Sequence, residues 1–343
     1  NANGEPTDTY RKQNKDLLNF AFYNDDQVEE FSSYLYKVSV VSNDGMESAL
    51  SEPVRGGTSF KKIGLFPVTA YNASHKSNVV SSRIDSPVIT EDVNGDGKKE
   101  IFTSLQNFSG WGALIGINNN GDDLFDIDNN VTTHSGFAET IEEMCVAPAI
   151  GPLVMNGEKH IICAERGQGN SSYVYCYSFK DQNKDGKPDL VWKTLVPSSF
   201  QSSLILANVD GSKDGSNEII LRGEQDGANP KIYILSNQGK LLYSFGDGGT
   251  YSGLAVADLD GNGTLEIIAG YTNGTVRAYH YFGSLYKELI NIPGRSFTST
   301  PTVGDIDNDG KKEILIMGKS GSQTYVYVRK ADASKVTGWN DLS

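Results

Sequence analysis

SPVITEDVNGDGKKEIFTSL (residues 86–105), SGLAVADLDGNGTLEIIAGY (252–271) and STPTVGDIDNDGKKEILIMG (299–318) are three statements of one pattern. Each opens on a short apolar run, passes through an acidic loop containing Gly, and closes on a second run rich in Ile and Leu. Runs of this composition, separated by Asp/Asn/Gly clusters, read as strands joined by turns. A fourth version, SSLILANVDGSKDGSNEIILRG (202–223), keeps the pattern with two extra loop residues. Two further strands are expected after each pair, as in GALIGINNNGDDLFDI (112–127) and PKIYILSNQGKLLYSF (230–245), where Asn-Gly or Gln-Gly separates alternating runs.

A fifth unit lies between the first two, from APAIGPLVMNGEKHIICAERG (147–167) to VYCYSFKDQNKDGKPDLVWKT (174–194). Counted from the first loop position, the units begin at Asp92, Leu153, Asn208, Asp258 and Asp305, in steps of 61, 55, 50 and 47 residues. Four strands at this spacing make one propeller blade, and no segment shows the long apolar periodicity of a helical solenoid. The expected fold class is all-β, a β-propeller of four-stranded blades with five visible over residues 58–343. Residues 59–68, SFKKIGLFPV, read as an outer strand ahead of the first blade. The last blade should place its fourth strand just before VTGWNDLS (336–343). The ring then closes by strand exchange between these ends, or through further blades.

The acidic loops share one grammar. The first runs Asp92, Asn94, Asp96, Gly97, Lys98, Glu100, and the second Asp181, Asn183, Asp185, Gly186, Lys187, Asp189. The fourth runs Asp258, Asp260, Asn262, Gly263, Thr264, Glu266, and the fifth Asp305, Asp307, Asp309, Gly310, Lys311, Glu313. Positions 1, 3 and 5 offer oxygen side chains to one centre, and Gly at position 6 permits a sharp reversal. Position 7 can add a backbone carbonyl and position 9 a carboxylate, which reaches the six or more hard oxygens that Ca²⁺ prefers. An EF-hand would place its acid at position 12 between helices, whereas here the acid comes at 9 and a strand follows at once. The third loop (Asn208, Asp210, Asp214, Glu218) is stretched and makes the weakest site. The second is displaced to the turn between the outer two strands of its blade. At the usual position in that blade, 153–160, Glu158 is the only carboxylate.

The bulk composition agrees with a cation as partner. Acidic residues outnumber basic ones by 43 to 30, for a net charge of -13, which argues against nucleic acid or an anionic membrane surface. Sixteen of the acids sit in the five loops, and five bound Ca²⁺ would bring the formal charge to -3. No apolar stretch approaches the length of a membrane span, and a first residue other than Met reads as a mature or trimmed product. Cys163 and Cys176 could face each other in one hairpin, with buried free thiols favoured over a disulfide. The four histidines lack a metal-ligand spacing and read as structural or surface residues. Trp111, Trp192, Trp339, Tyr279 and Tyr281 are read as inter-blade core in preference to a sugar-stacking surface. No Gly-x-Ser-x-Gly elbow is present.

The strand–loop–strand repeat of residues 80–330 resembles the FG-GAP or integrin-α-type propeller repeats, and the VCBS-like repeats of secreted bacterial surface proteins. The resemblance implies a calcium-stabilised propeller and leaves its ligand open. Ahead of it, YLYKVSVVSNDGMESALSEPV (34–54) places Tyr34, Tyr36, Val38 and Val40 on one strand face before an Asn43-Asp44-Gly45 turn. With Thr9-Tyr10-Arg11 as the end of an earlier strand, residues 1–57 resemble part of a fibronectin type III domain. The function expected is a secreted or cell-surface adhesion module that binds a glycan or an extracellular protein. Rhamnogalacturonan lyases look similar, so a polysaccharide lyase is the enzymatic alternative, and a structural spacer in a larger surface protein is the third.

Overall fold

The computed structural model describes residues 33–57, 82–83, 86–107, 111–125, 138–140, 146–166, 171–200, 202–223, 231–246 and 252–339. Among these, every regular element is a strand. The chain divides into two compact units, Asn1–Pro67 and Val68–Ser343. Residues 9–11 and 59–68, read above as strands, lie outside the described residues.

In the first unit, β1 (Ser33–Tyr36) pairs antiparallel with β2 (Val54–Gly57), Tyr36 opposite Val54. The chain between them narrows to the expected turn. Gly45 sits at φ +83° and donates to the Ser42 carbonyl at 2.9 Å, and Val41 bridges Glu47. Only Gly adopts that φ without a steric cost, which is why the turn falls there.

The described residues of the second unit form five antiparallel sheets in succession. In the first, β3 (Ser82–Arg83) and β4 (Ile89–Glu91) both pair with β5 (Glu100–Asn107), followed by β6 (Trp111–Ile117) and β7 (Ala138–Thr140). The second sheet has the order β8 (Ala149–Pro152), β9 (Lys159–Ala164), β10 (Ser172–Ser178), β11 (Leu190–Val196). The third is β12 (Ile205–Ala207), β13 (Glu218–Arg222), β14 (Ile232–Leu235), β15 (Leu241–Phe245). The fourth is β16 (Ala255–Ala257), β17 (Glu266–Gly270), β18 (Thr275–Tyr279), β19 (Leu285–Asn291). The fifth is β20 (Thr302–Gly304), β21 (Glu313–Ser320), β22 (Gln323–Lys330).

Two details depart from the sequence reading. In the first sheet the Asn-Gly turn forms, but its return arm contributes one bridge, Ile117 to Asp123, and the strand along Gly112–Leu114 is β7 from farther on. In the fifth sheet the described residues after β22 supply a single bridge, Arg329 to Lys335, where a fourth strand was expected.

The middle strands are buried on both faces, which explains their near-continuous apolar runs. Successive residues serve different cores. Ile161 packs with Phe102 and Leu114 of the first sheet, while Ile162 packs with Ile219 and Leu221 of the third. Ile220 turns instead to Ile267, and Ile268 turns to Ile314 and Ile316. The period-2 alternation of a strand thus stacks each sheet between its neighbours in chain order. Each such Ile or Leu contributes about 1.5–3 kcal/mol by leaving water.

The same alternation decides the cysteines. Cys163 pairs with Tyr175, so Cys176, the next residue, projects to the opposite face, and both thiols are free and buried. Tyr279 and Trp192 are core residues as expected. Tyr279 bonds the Tyr271 hydroxyl at 2.9 Å, and the half-buried Trp192 packs against the core that Ile162 shares with Ile219 and donates to the Asn237 carbonyl at 3.1 Å.

The loops that join first and second strands lie side by side. Lys159 Nζ donates to the Asp92 carbonyl at 2.7 Å. Asn217 of the third loop donates to the carbonyls of Pro152 and Leu153 at 2.7 and 3.0 Å, and Leu265 N–H reaches the Val209 carbonyl at 3.0 Å. A Cβ on Gly211 would lie 2.7 Å from the Gly263 carbonyl oxygen, so only Gly lets the third and fourth loops approach this closely.

Candidate metal centre

Loops one, two, four and five are bent alike. Their position-6 glycines take φ between +81° and +88°, at Gly97, Gly186, Gly263 and Gly310. Each of those amides donates to one oxygen of the position-1 aspartate, Asp92, Asp181, Asp258 or Asp305, at 2.9–3.0 Å. The position-5 amide donates to Asn94, Asn183, Asp260 or Asp307 at 2.9–3.2 Å. The amides of Lys98, Lys187, Thr264 and Lys311 then donate to Asp96, Asp185, Asn262 and Asp309 at 2.7–2.9 Å. These short side chains bond their own loop amides and so hold a turn that buries little apolar surface.

The closing acid is fixed the same way in all five loops. Glu100, Glu218, Glu266 and Glu313 accept the amides of Val93, Val209, Leu259 and Ile306 at 2.9–3.0 Å, and Asp189 accepts that of Gln182 at 2.9 Å. Four of the five are glutamates that open a second strand, which buries them.

Loops four and five go further. Asp258, Asp260 and Glu266 bring carboxylate oxygens within 4.8 Å of one another, and so do Asp305, Asp307 and Glu313. Either cluster could hold a metal ion. In both, the second oxygen of the closing glutamate is buried without a hydrogen-bond partner. Loop one avoids this because Asn94 stands at position 3, and its amide donates to Glu100 Oε1 at 3.3 Å. The carboxylates of loops one, two and three are not gathered as closely. In loop three, Asp214 is turned to the extra residues, accepting from the Ser212 hydroxyl at 2.8 Å and the Ser216 amide at 2.9 Å.

Protonation follows these surroundings. Burial raises the Glu266 pKa above its ordinary value, against the Leu259 amide that lowers it, and the Asp260 charge raises it further. Burial likewise raises Glu218, and Asp210 adds to it. The exposed Asp214 is lowered by the Ser216 amide first and then by the Ser212 hydroxyl.

Three basic side chains escaped the sequence reading because only strand register reveals them. Lys330 pairs with Glu313 and donates to Asp307 Oδ2 at 3.0 Å and Asp309 Oδ2 at 2.7 Å. His280, read above as structural or surface, lies with Nδ1 3.4 Å from Glu266 Oε1, at ion-pair distance without hydrogen-bond geometry. Lys159 begins β9 at the position where the other sheets carry glutamate.

Residues 210–269, from the third loop into β17, match the FG-GAP-like repeat. Curated proteins include no significant match to the sequence. Among solved structures, the V. cholerae biofilm matrix protein Bap1 aligns with a TM-score of 0.50 and 20% identity, over 78% of this chain and 41% of its own. This chain therefore spans less than half of that protein's length, and the likeness is one of fold. BBS1N in complex with ARL6DN aligns at 0.41 and 15% identity, covering 83% of this chain and 76% of that one. Quinohemoprotein alcohol dehydrogenase ADHIIG from Pseudomonas putida HK5 aligns at 0.39 and 10%, covering 69% and 44%. Those two scores are too low to bear on function. Among the described residues no helix is long and apolar enough to cross a membrane.

Proposed function

We propose that residues 58–343 form a calcium-stabilised β-propeller, displayed outside the cell and preceded in the chain by a fibronectin-like module at 1–57, that binds a glycan or an extracellular protein. The buried, unpartnered oxygens of Glu266 and Glu313 carry the metal part of this reading. A carboxylate oxygen out of water without a donor is costly, and a cation among three carboxylates removes the cost.

The donors are all oxygens, which suits a hard cation with six to eight ligands better than a thiolate- or imidazole-seeking metal. Asp258, Asp260, Asn262, Glu266 and the Thr264 carbonyl would hold one ion. Asp305, Asp307, Asp309, Glu313 and the Lys311 carbonyl would hold a second. The corresponding residues of loops one, two and three would hold up to three more. Bound calcium supplies charge neutralisation at each loop, while the loop residues fix where the first and second strands meet. The five successive sheets, each packed on the next, support the propeller. The FG-GAP-like match and the fold shared with a biofilm matrix protein support an extracellular binding role.

Titration calorimetry of chelator-treated protein with CaCl₂ tests the metal, and absence of binding heat rejects it. Arrays of polysaccharides and matrix proteins, probed with calcium and with chelator, test the binding role. A blank array in calcium rejects that role while leaving the metal sites standing.

A further inference from the structure

The fifth loop carries a cation of its own. Lys330 closes β22 directly opposite Glu313, and its ammonium bonds Asp307 Oδ2 and Asp309 Oδ2. Those are the oxygens that the loop amides leave free, because Asp307 Oδ1 takes the Asp309 amide and Asp309 Oδ1 takes that of Lys311. A divalent ion entering the cluster meets Asp307 with its free oxygen already engaged.

The equivalent position differs in every other sheet that has such a loop. Continuing the pairs Ile101–Ile117, Ile219–Leu235 and Ile267–Tyr279 by one residue places Asn118 opposite Glu100, Ser236 opposite Glu218 and His280 opposite Glu266. Only the fifth sheet puts a permanently charged side chain there.

Resting on the calcium reading above, we propose that Lys330 is a built-in counter-cation that competes with calcium for the fifth loop and makes it a low-affinity site among the loops. When calcium is scarce the ammonium neutralises the cluster. When calcium is abundant it is displaced to solvent, which its position at a strand end and its 27% exposed side chain permit. Two partly exposed ion pairs must be exchanged, so the handicap is about tenfold in affinity.

The test is calcium calorimetry on the full chain, comparing wild type with Lys330→Met, Lys330→Gln and Asp305→Asn. Both lysine variants are expected to tighten one site about tenfold, or to reveal one more site, with the remaining sites unchanged. Combining either with Asp305→Asn should abolish the gain, because the site itself is then lost. In chelator the lysine variants should melt below wild type. Unchanged affinity overturns the proposal, and weakened affinity overturns it in favour of a lysine that positions the carboxylates. If wild type and both variants bind no calcium, the calcium reading falls and this inference with it. If wild type binds and the variants match it, this inference alone falls.

Discussion

In the fourth sheet the second strand starts with Glu266, paired with Ala257, whereas in the second sheet it starts with Lys159, paired with Pro152. The strands meet in the same antiparallel way, so the hairpin itself does not require the carboxylate. The second sheet closes its turn without a carboxylate, Gly157 N–H donating to the Val154 carbonyl at 2.9 Å with Asn156 at φ +57°. The fourth sheet instead gathers Asp258 and Asp260 about a buried glutamate with an orphan oxygen. What separates the two is a charge to be neutralised. Lys159 brings its own positive charge and delivers it to Glu91 and the Asp92 carbonyl of the first loop.

Removing calcium should have the largest effect, because it acts on every acidic loop at once. At free calcium ten times each dissociation constant, each occupied site stabilises by about 1.4 kcal/mol, and five by about 7. That is comparable with the whole stability of an ordinary domain. Melting followed by circular dichroism should therefore drop steeply in excess chelator, and superimposable curves would remove the contrast between the two sheets.

Glu266→Gln breaks the comparison at one loop and reverses sign with conditions. In calcium it should lose about 1.4 kcal/mol, one site's linkage. In chelator it should melt at or above wild type, because a neutral amide replaces a buried charge and can still accept the Leu259 amide. Loss of stability in both conditions would mean that Glu266 serves the strand pairing alone.

Much of this architecture was legible in the chain. The loops, the first and second strands and the alternating cores follow from Asp/Asn/Gly spacing and from runs such as Glu266–Gly270. The thiol geometry was not, since one step of register separates a facing pair from a pair on opposite faces. Lys330 and His280 were invisible for a related reason. They lie 17 and 14 residues from the glutamates they oppose, across a turn whose length varies from sheet to sheet. The fourth strands were read unevenly: β15 follows from 230–245, whereas β7 comes from farther along the chain than expected and the fifth sheet has a single bridge in place of its fourth strand.

The pH dependence of the chelated protein follows from the buried acids. Glu218 and Glu266 have raised pKa values in the folded state, so folded protein binds more protons than unfolded between the ordinary glutamate value and the raised one. Their contribution is present below that window and is lost as pH rises through it. Chelated protein should thus lose stability from these groups as pH climbs above the ordinary glutamate value of about 4.3, and Glu266→Gln should flatten the slope. Asp214 and Asp309 act with the opposite sign and lower down, their contribution being lost as pH falls through their depressed values. Calcium should reverse the glutamate slope, because the ion binds the charged form.

The smallest effect is expected at Lys159, and it decides what the second sheet lacks. Its ammonium and Glu91 are both more than a third exposed, so Lys159→Met should cost under about 1 kcal/mol and leave the number of calcium sites unchanged. Lys159→Glu restores the glutamate at the register position of Glu266. It should still create no site, because Leu153 and Met155 stand where the fourth loop has Asp258 and Asp260, and the new charge would face Glu91. An added calcium site in Lys159→Glu would show that the closing glutamate alone suffices, and that the aspartates are turn formers before they are ligands.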